Sequence, residues 1–255
     1  MTDIVLAGLC GLTGLAVGVG VNTVIDRVPD KRPLRPLAVA CSACGDASSP
    51  LGGAARRRCG SCGQRRPLSE LMVPLATAAL YVVAALRFGT TWVLVPYLVL
   101  FAALVAVSVI DLRWFRIPDR IVFPTLAVSV PLVVVVSLAY DVPSAIAWAV
   151  IGAVVYFLAL FVPHLVYPEG MGFGDVKLAL VMGLYLGWLA TDRLSSVYLV
   201  VVSLMLGCGL GVVFGVAVRL VTRRDGAFPF GPALAAATVV VVVFSEPLVR
   251  NYLGV

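Results

Sequence analysis

The chain has 255 residues, of which 61% are hydrophobic and 13% charged. A water-soluble domain of this length carries roughly 25% charged residues, so a soluble enzyme or secreted domain is excluded and a polytopic helical membrane protein is expected. The formal net charge of +6 suggests an anionic partner only until the positions of the charges are read, because most of them fall in a few loops.

Eight hydrophobic spans are expected, at about 4–25, 71–86, 91–110, 121–140, 143–166, 176–190, 195–218 and 228–245; the sixth is short. The first lacks a basic leader region and runs into a basic loop, so it reads as a retained helix, not a cleaved signal. Sixteen of the nineteen Lys and Arg lie in the loops after the first, third, fifth and seventh spans. Positive loops stay cytosolic, which puts both termini outside and the 26–70 loop in the cytosol. Topology therefore accounts for the basic charge. Contact with anionic lipid headgroups is compatible with it, and no nucleic-acid partner is expected.

The segment 26–67 is the only sizeable polar stretch. It holds Cys41-x2-Cys44 and, fourteen residues later, Cys59-x2-Cys62. Two such pairs let four thiolates converge tetrahedrally on Zn2+, each pair forming a tight knuckle, with Gly45, Gly60 and Gly63 beside them for the turns. A reducing cytosol favours metal over disulfides, and a metal gives a loop this poor in apolar residues a fold. The competing reading is a pair of reduced or redox-active dithiols. The expected organisation is a first helix (1–25), a four-Cys zinc loop (26–67) and a seven-helix membrane domain (68–255).

Two acids stand out. Asp111 ends the third span and Asp175 opens the sixth, in Gly172-Phe173-Gly174-Asp175-Val176-Lys177. An ionisable group at a bilayer boundary is costly and marks function by default. The charge count places both on the cytosolic side. Gly172 and Gly174 permit close approach to Asp175. Two nearby carboxylates share a proton, the ionised one drawing a proton from water while the protonated one polarises a carbonyl. Taken singly, each acid also fits a plain helix-boundary role. Lys177 is expected to snorkel to the headgroups or to pair with Asp175 or Glu169. Asn22, in the first span, is expected to hydrogen-bond to another helix.

At these residues the chain resembles the type IV prepilin peptidases, the bifunctional leader peptidases/N-methyltransferases. Gly170-Met171-Gly172-Phe173-Gly174-Asp175-Val176-Lys177 resembles their Gly-x-Gly-Asp signature, and Asp111 through Ile117-Pro118-Asp119 is similar to their other aspartate region. Gly18 through Pro29, Arg66 through Leu71 and Phe228-Pro229-Phe230-Gly231-Pro232 follow the same order. The resemblance implies a membrane aspartic endopeptidase of the bacterial inner membrane with Asp111 and Asp175 as its catalytic pair. Its substrates would be type IV prepilins or pseudopilins, cut after a glycine on the cytosolic side. N-methylation of the new N-terminus from S-adenosylmethionine would follow. The stretch between the two Cys pairs is shorter than the family's and lacks its aromatic residues, which leaves a peptidase without methylation as an alternative. A non-enzymatic scaffold or transporter with a zinc docking loop is the reading from another class.

Overall fold

The computed structural model describes residues 2–28, 39–40, 47–48, 61–63, 69–222 and 229–253. These contain eight α-helices: α1 (Thr2–Arg27), α2 (Ser69–Phe88), α3 (Leu94–Trp114), α4 (Asp119–Ala139), α5 (Ser144–Val166), α6 (Phe173–Trp188), α7 (Arg193–Thr222) and α8 (Gly231–Leu253). Each coincides with one expected span. Six of them, α1 to α5 and α7, are long and apolar enough to cross a membrane, as a polytopic membrane protein requires. Besides the helices, a two-residue antiparallel pair, β1 (Val39–Ala40) with β2 (Ala47–Ser48), brackets Cys41 and Cys44 in sequence. Cys62 is exposed; Cys41, Cys44 and Cys59 lie outside the described residues.

The contacts divide the chain into two units, Met1–Ala106 and Val107–Val255, the division falling inside α3. In the first unit α1 packs along α2. Gly14 and Gly18 face Ala78 and Pro74 so closely that a Cβ at Gly14 would stand 2.7 Å from the Ala78 Cα. Small residues of this kind let helix backbones approach in lipid, where dispersion rather than the hydrophobic effect drives packing. Pro74 sits inside α2 and has no N–H to give the carbonyl four residues earlier, that of Glu70. The Asn22 amide of α1 donates to that same carbonyl at 2.7 Å. The expected interhelical bond of Asn22 is thus present, and it satisfies the acceptor that the proline orphans.

In the second unit α6 is the central element. Twelve of its sixteen residues are buried, and α4, α5, α7 and α8 all pack on it. A helix apolar on every side belongs in such a place, which explains both its composition and its length of roughly 24 Å, short of a bilayer core. Gly152 of α5 meets Gly183 and Gly187 of α6 backbone to backbone, leaving no room for a Cβ at any of the three. Buried hydrogen bonds pin the same helix to its neighbours. Tyr185 donates to Ser129 at 2.8 Å, Trp188 Nε1 to Ser137 at 2.8 Å, and Thr238 to the Met182 sulfur at 3.1 Å. The expected eighth span at 228–245 starts instead at Gly231, because Pro229 and Pro232 suit a helix start rather than an interior. It continues to Leu253 across a kink at Phe244 (φ −103°, ψ 16°).

Candidate functional site

Asp111 occupies the last turn of α3. The Phe115 N–H closes that turn on the Asp111 carbonyl at 2.9 Å, and Phe115 itself takes the left-handed conformation (φ 51°). Helices commonly end on such a residue, but glycine is the usual choice. A bulky side chain there is a strained exception. The chain then turns through Arg116 and Ile117 to Pro118, extended at φ −78° and ψ 133°, and α4 begins at Asp119. The result is a four-residue corner that leaves Asp111 just before a reversal and turns the Ile117 side chain into the interior, where it is buried.

Asp175 is the third residue of α6. Gly172 is the residue before the helix (φ −65°, ψ 137°), and the Asp175 N–H bonds to its carbonyl at 3.1 Å. Upstream, a 3-10 turn at Pro168–Gly170 connects from α5, and His164 Nδ1 lies 3.0 Å from the Met171 carbonyl. The His164 ring also stands 5.3 Å from that of Phe173. The only histidine of the chain thus fastens the approach to the Gly-x-Gly-Asp segment.

The two aspartates are brought together by residues that belong to other elements. Gly174 lies against Ile117 of the α3–α4 corner; a Cβ at Gly174 would be 2.7 Å from the Ile117 Cβ. Gly231, at the start of α8, lies against Asp111 and the tip of Ile117, and its N–H donates to Asp111 Oδ2 at 3.0 Å. Asp111 and Asp175 are only 6% and 7% exposed and stand close enough for their charges to act on one another. Asp175 Oδ1 is buried and accepts no hydrogen bond among the described residues. Such an arrangement holds two carboxyl groups in a region of low dielectric, where they cannot both ionise readily.

Lys177 does not pair with Asp175 or Glu169. Its Nζ lies 2.7 Å from Asp119 Oδ1, with the rings of Phe173 and Phe123 4.9 and 5.5 Å away. Two residues beyond Asp175, about half a turn around α6, it lies on the side toward α4, so the start of α4 takes its charge. Gly172 has no positive φ and an open surrounding: a Cβ there would come no closer than 3.5 Å to Asp175 Oδ2. Of the two motif glycines, only Gly174 is sterically required by the packing. No part for Ile117 or Gly231 in joining the two aspartates is legible in the sequence, although both stand in segments that resemble the family's. The signal was a glycine directly before a proline at a helix start, which leaves a bare N–H facing outward.

Among the described residues no group of three or more His, Cys, Asp or Glu is arranged to hold a metal; three of the four loop cysteines lie outside those residues.

Comparison with known proteins agrees with the resemblance. The pattern of the type IV leader peptidase family matches residues 98–216, a stretch that contains both aspartates. The prepilin leader peptidase/N-methyltransferase of Bacillus subtilis (strain 168) is 30% identical over 196 residues, covering 77% of this chain and 74% of the relative. The protein of that name from Pseudomonas aeruginosa is 31% identical over 235 residues, covering 84% and 74%. The one from Burkholderia pseudomallei (strain 1026b) is 31% identical over 252 residues, covering 92% and 76%. No solved structure matches the chain. With two buried aspartates, one in the last turn of α3 and one in the first turn of α6, and relatives of this similarity along most of its length, the chain belongs to the type IV leader peptidase family.

Proposed function

We propose that the protein is a membrane aspartic endopeptidase that removes the basic leader of type IV prepilins or pseudopilins, with Asp111 and Asp175 as its catalytic pair. The observation that carries this reading is the convergence of the two buried aspartates around Ile117, Gly174 and Gly231. Each would face the scissile peptide from a different helix end. A carboxylate and a carboxylic acid so placed activate water on one side of a peptide bond and polarise its carbonyl on the other. Cleavage is expected after a glycine and on the cytosolic face of the inner membrane. The basic loops support that orientation, and a leader that stays in the cytosol fits it.

S-adenosylmethionine-dependent methylation of the new N-terminus belongs to the same proposal, supported by the names of the relatives. The cofactor would supply the methyl group, and no residue of this chain is assigned to it. Zinc belongs to the 26–67 loop. Four thiolates in two CxxC pairs suit a closed tetrahedral site, and the strand pair flanking Cys41 and Cys44 suits the knuckle such a site needs. The role of the metal is structural.

Reconstituted enzyme and a prepilin substrate test the reading. Asp111→Asn and Asp175→Asn should each abolish leader cleavage while still inserting in the membrane. If both variants cleave normally, the peptidase reading fails and a scaffold or transporter takes its place. Mass analysis of the cleaved N-terminus with the methyl donor supplied separates the bifunctional enzyme from a peptidase alone. The shortened stretch between the Cys pairs is the feature behind the second reading.

A further inference from the structure

The two aspartates are not equivalent, and the difference assigns their roles. Asp111 Oδ2 receives the Gly231 N–H at 3.0 Å. That donor is the first residue of α8, where the helix dipole presents its positive end. A hydrogen bond donated to a carboxylate favours the ionised form. Asp175 has the opposite surroundings. Among the described residues its Oδ1 is buried without a donor, and although it stands in the first turn of α6, no N–H of that turn reaches the oxygen. Burial without hydrogen bonds disfavours a charge.

Among the described residues, the titratable groups facing the pair from other elements leave this asymmetry in place. Lys177 is held by Asp119. Tyr156 of α5, fully buried, senses Asp175 electrostatically, but its hydroxyl is turned to Ser203 at 3.5 Å.

We infer that Asp111 is the water-activating carboxylate of the pair and Asp175 the carboxylic acid that protonates the scissile carbonyl oxygen. The inference rests on the peptidase reading above. In the first step Asp111 takes a proton from water, and the water oxygen bonds to the carbonyl carbon. At the same time the Asp175 proton passes to the carbonyl oxygen, giving a neutral gem-diol. In the second step Asp111 returns its proton to the leaving nitrogen as the C–N bond breaks. The gem-diol gives one hydroxyl proton back to Asp175 as the carboxyl product forms. One water is consumed, and both side chains end as they began.

An epoxide separates the two groups, because a carboxylate opens it to form an ester and a neutral carboxylic acid does so far more slowly. Full-length enzyme in lipid is treated with 1,2-epoxy-3-(4-nitrophenoxy)propane, digested, and mapped by mass spectrometry. The expected result is an ester on Asp111 with loss of leader cleavage, the same ester in Asp175→Asn, and none at Asp175 in Asp111→Asn. An ester on Asp175 in the wild type, equal labelling of both, or no label at either position of an active enzyme would overturn the assignment. The dyad itself stands or falls separately, by cleavage in the two Asn variants.

Discussion

Replacing Gly174 by alanine is the sharpest test of how the site is built. The added Cβ would stand 2.7 Å from the Ile117 Cβ, 3.3 Å from its carbonyl oxygen and 3.5 Å from its Cα. Carbon atoms rest at about 3.5–4.0 Å, so the first contact falls short by roughly 1 Å. The obstructing atoms are the stem of a β-branched residue and its backbone, which no rotamer change can move. The start of α6 and the α3–α4 corner must therefore separate, and these are the two segments that carry Asp175 and Asp111. Overpacking of this kind costs about 1–3 kcal/mol of stability. A misplacement of about 1 Å between catalytic groups costs on the order of 100-fold in rate.

The assay is the kcat of leader cleavage by purified enzyme in lipid, with thermal unfolding measured in parallel. Gly172→Ala is the control, since its Cβ would make only ordinary contacts and its φ of −65° suits any residue. It should retain cleavage within about threefold, the scale of an unstrained change of ~0.5 kcal/mol. If Gly174→Ala cleaves like the wild type, or Gly172→Ala is as damaged as Gly174→Ala, the packing argument is wrong.

The other expectations concern separate parts of the molecule. Asn22→Leu leaves the Glu70 carbonyl without its 2.7 Å donor and should lower stability by about 1–3 kcal/mol. Adding Pro74→Ala restores a backbone N–H for that carbonyl and should recover part of the loss in a thermal melt; no recovery would show that the amide does not compensate for the proline. Lys177→Met removes a partly exposed ion pair with Asp119 and should change stability by under about 1 kcal/mol, measured the same way, with Lys177→Arg indistinguishable from wild type. A loss of several kcal/mol would mean that the pair, and not the apolar packing, holds α4 to α6. Purified protein should contain about one Zn2+ per chain, and Cys41→Ser with Cys44→Ser should lose it; metal-free wild type would refute the zinc loop.

The helices were legible in the sequence because each is written as an uninterrupted apolar run, and a run long enough to span lipid has few alternatives. The site was legible at its charged ends for a similar reason. Asp111 and Asp175 are costly where they stand, so their presence asks for a cause. What joins them was not legible. Ile117 is one apolar residue among many, and its importance lies in a corner formed by the left-handed Phe115 and the extended Pro118, which no hydrophobic pattern announces. Lys177 illustrates the same limit. Its nearest acids in sequence are Asp175 and Glu169, yet its partner is Asp119, 58 residues away, because helical geometry turned it toward α4.

Gly231 carries this argument furthest. Its use is an N–H, a group that every residue but proline possesses, so residue type alone reveals nothing. It works because it is the first of a helix, where the N–H has no internal partner, and because the lack of a Cβ lets Asp111 come within 3.0 Å of it. The site then depends on three helix ends meeting: the end of α3 with its aspartate, the start of α6 with the other, and the start of α8 with a bare donor. Side chains supply the acids, but the backbone decides which one is held as the anion. Substitutions at Gly231 should therefore impair cleavage although the residue contributes no side chain. Alanine there would place its Cβ 2.8 Å from Asp111 Oδ2 and push that carboxylate off its donor. The expected result is a fall in kcat with little change in thermal stability, since the displaced atom is the end of a side chain. A Gly231→Ala enzyme with wild-type kcat would refute this view of the backbone's part.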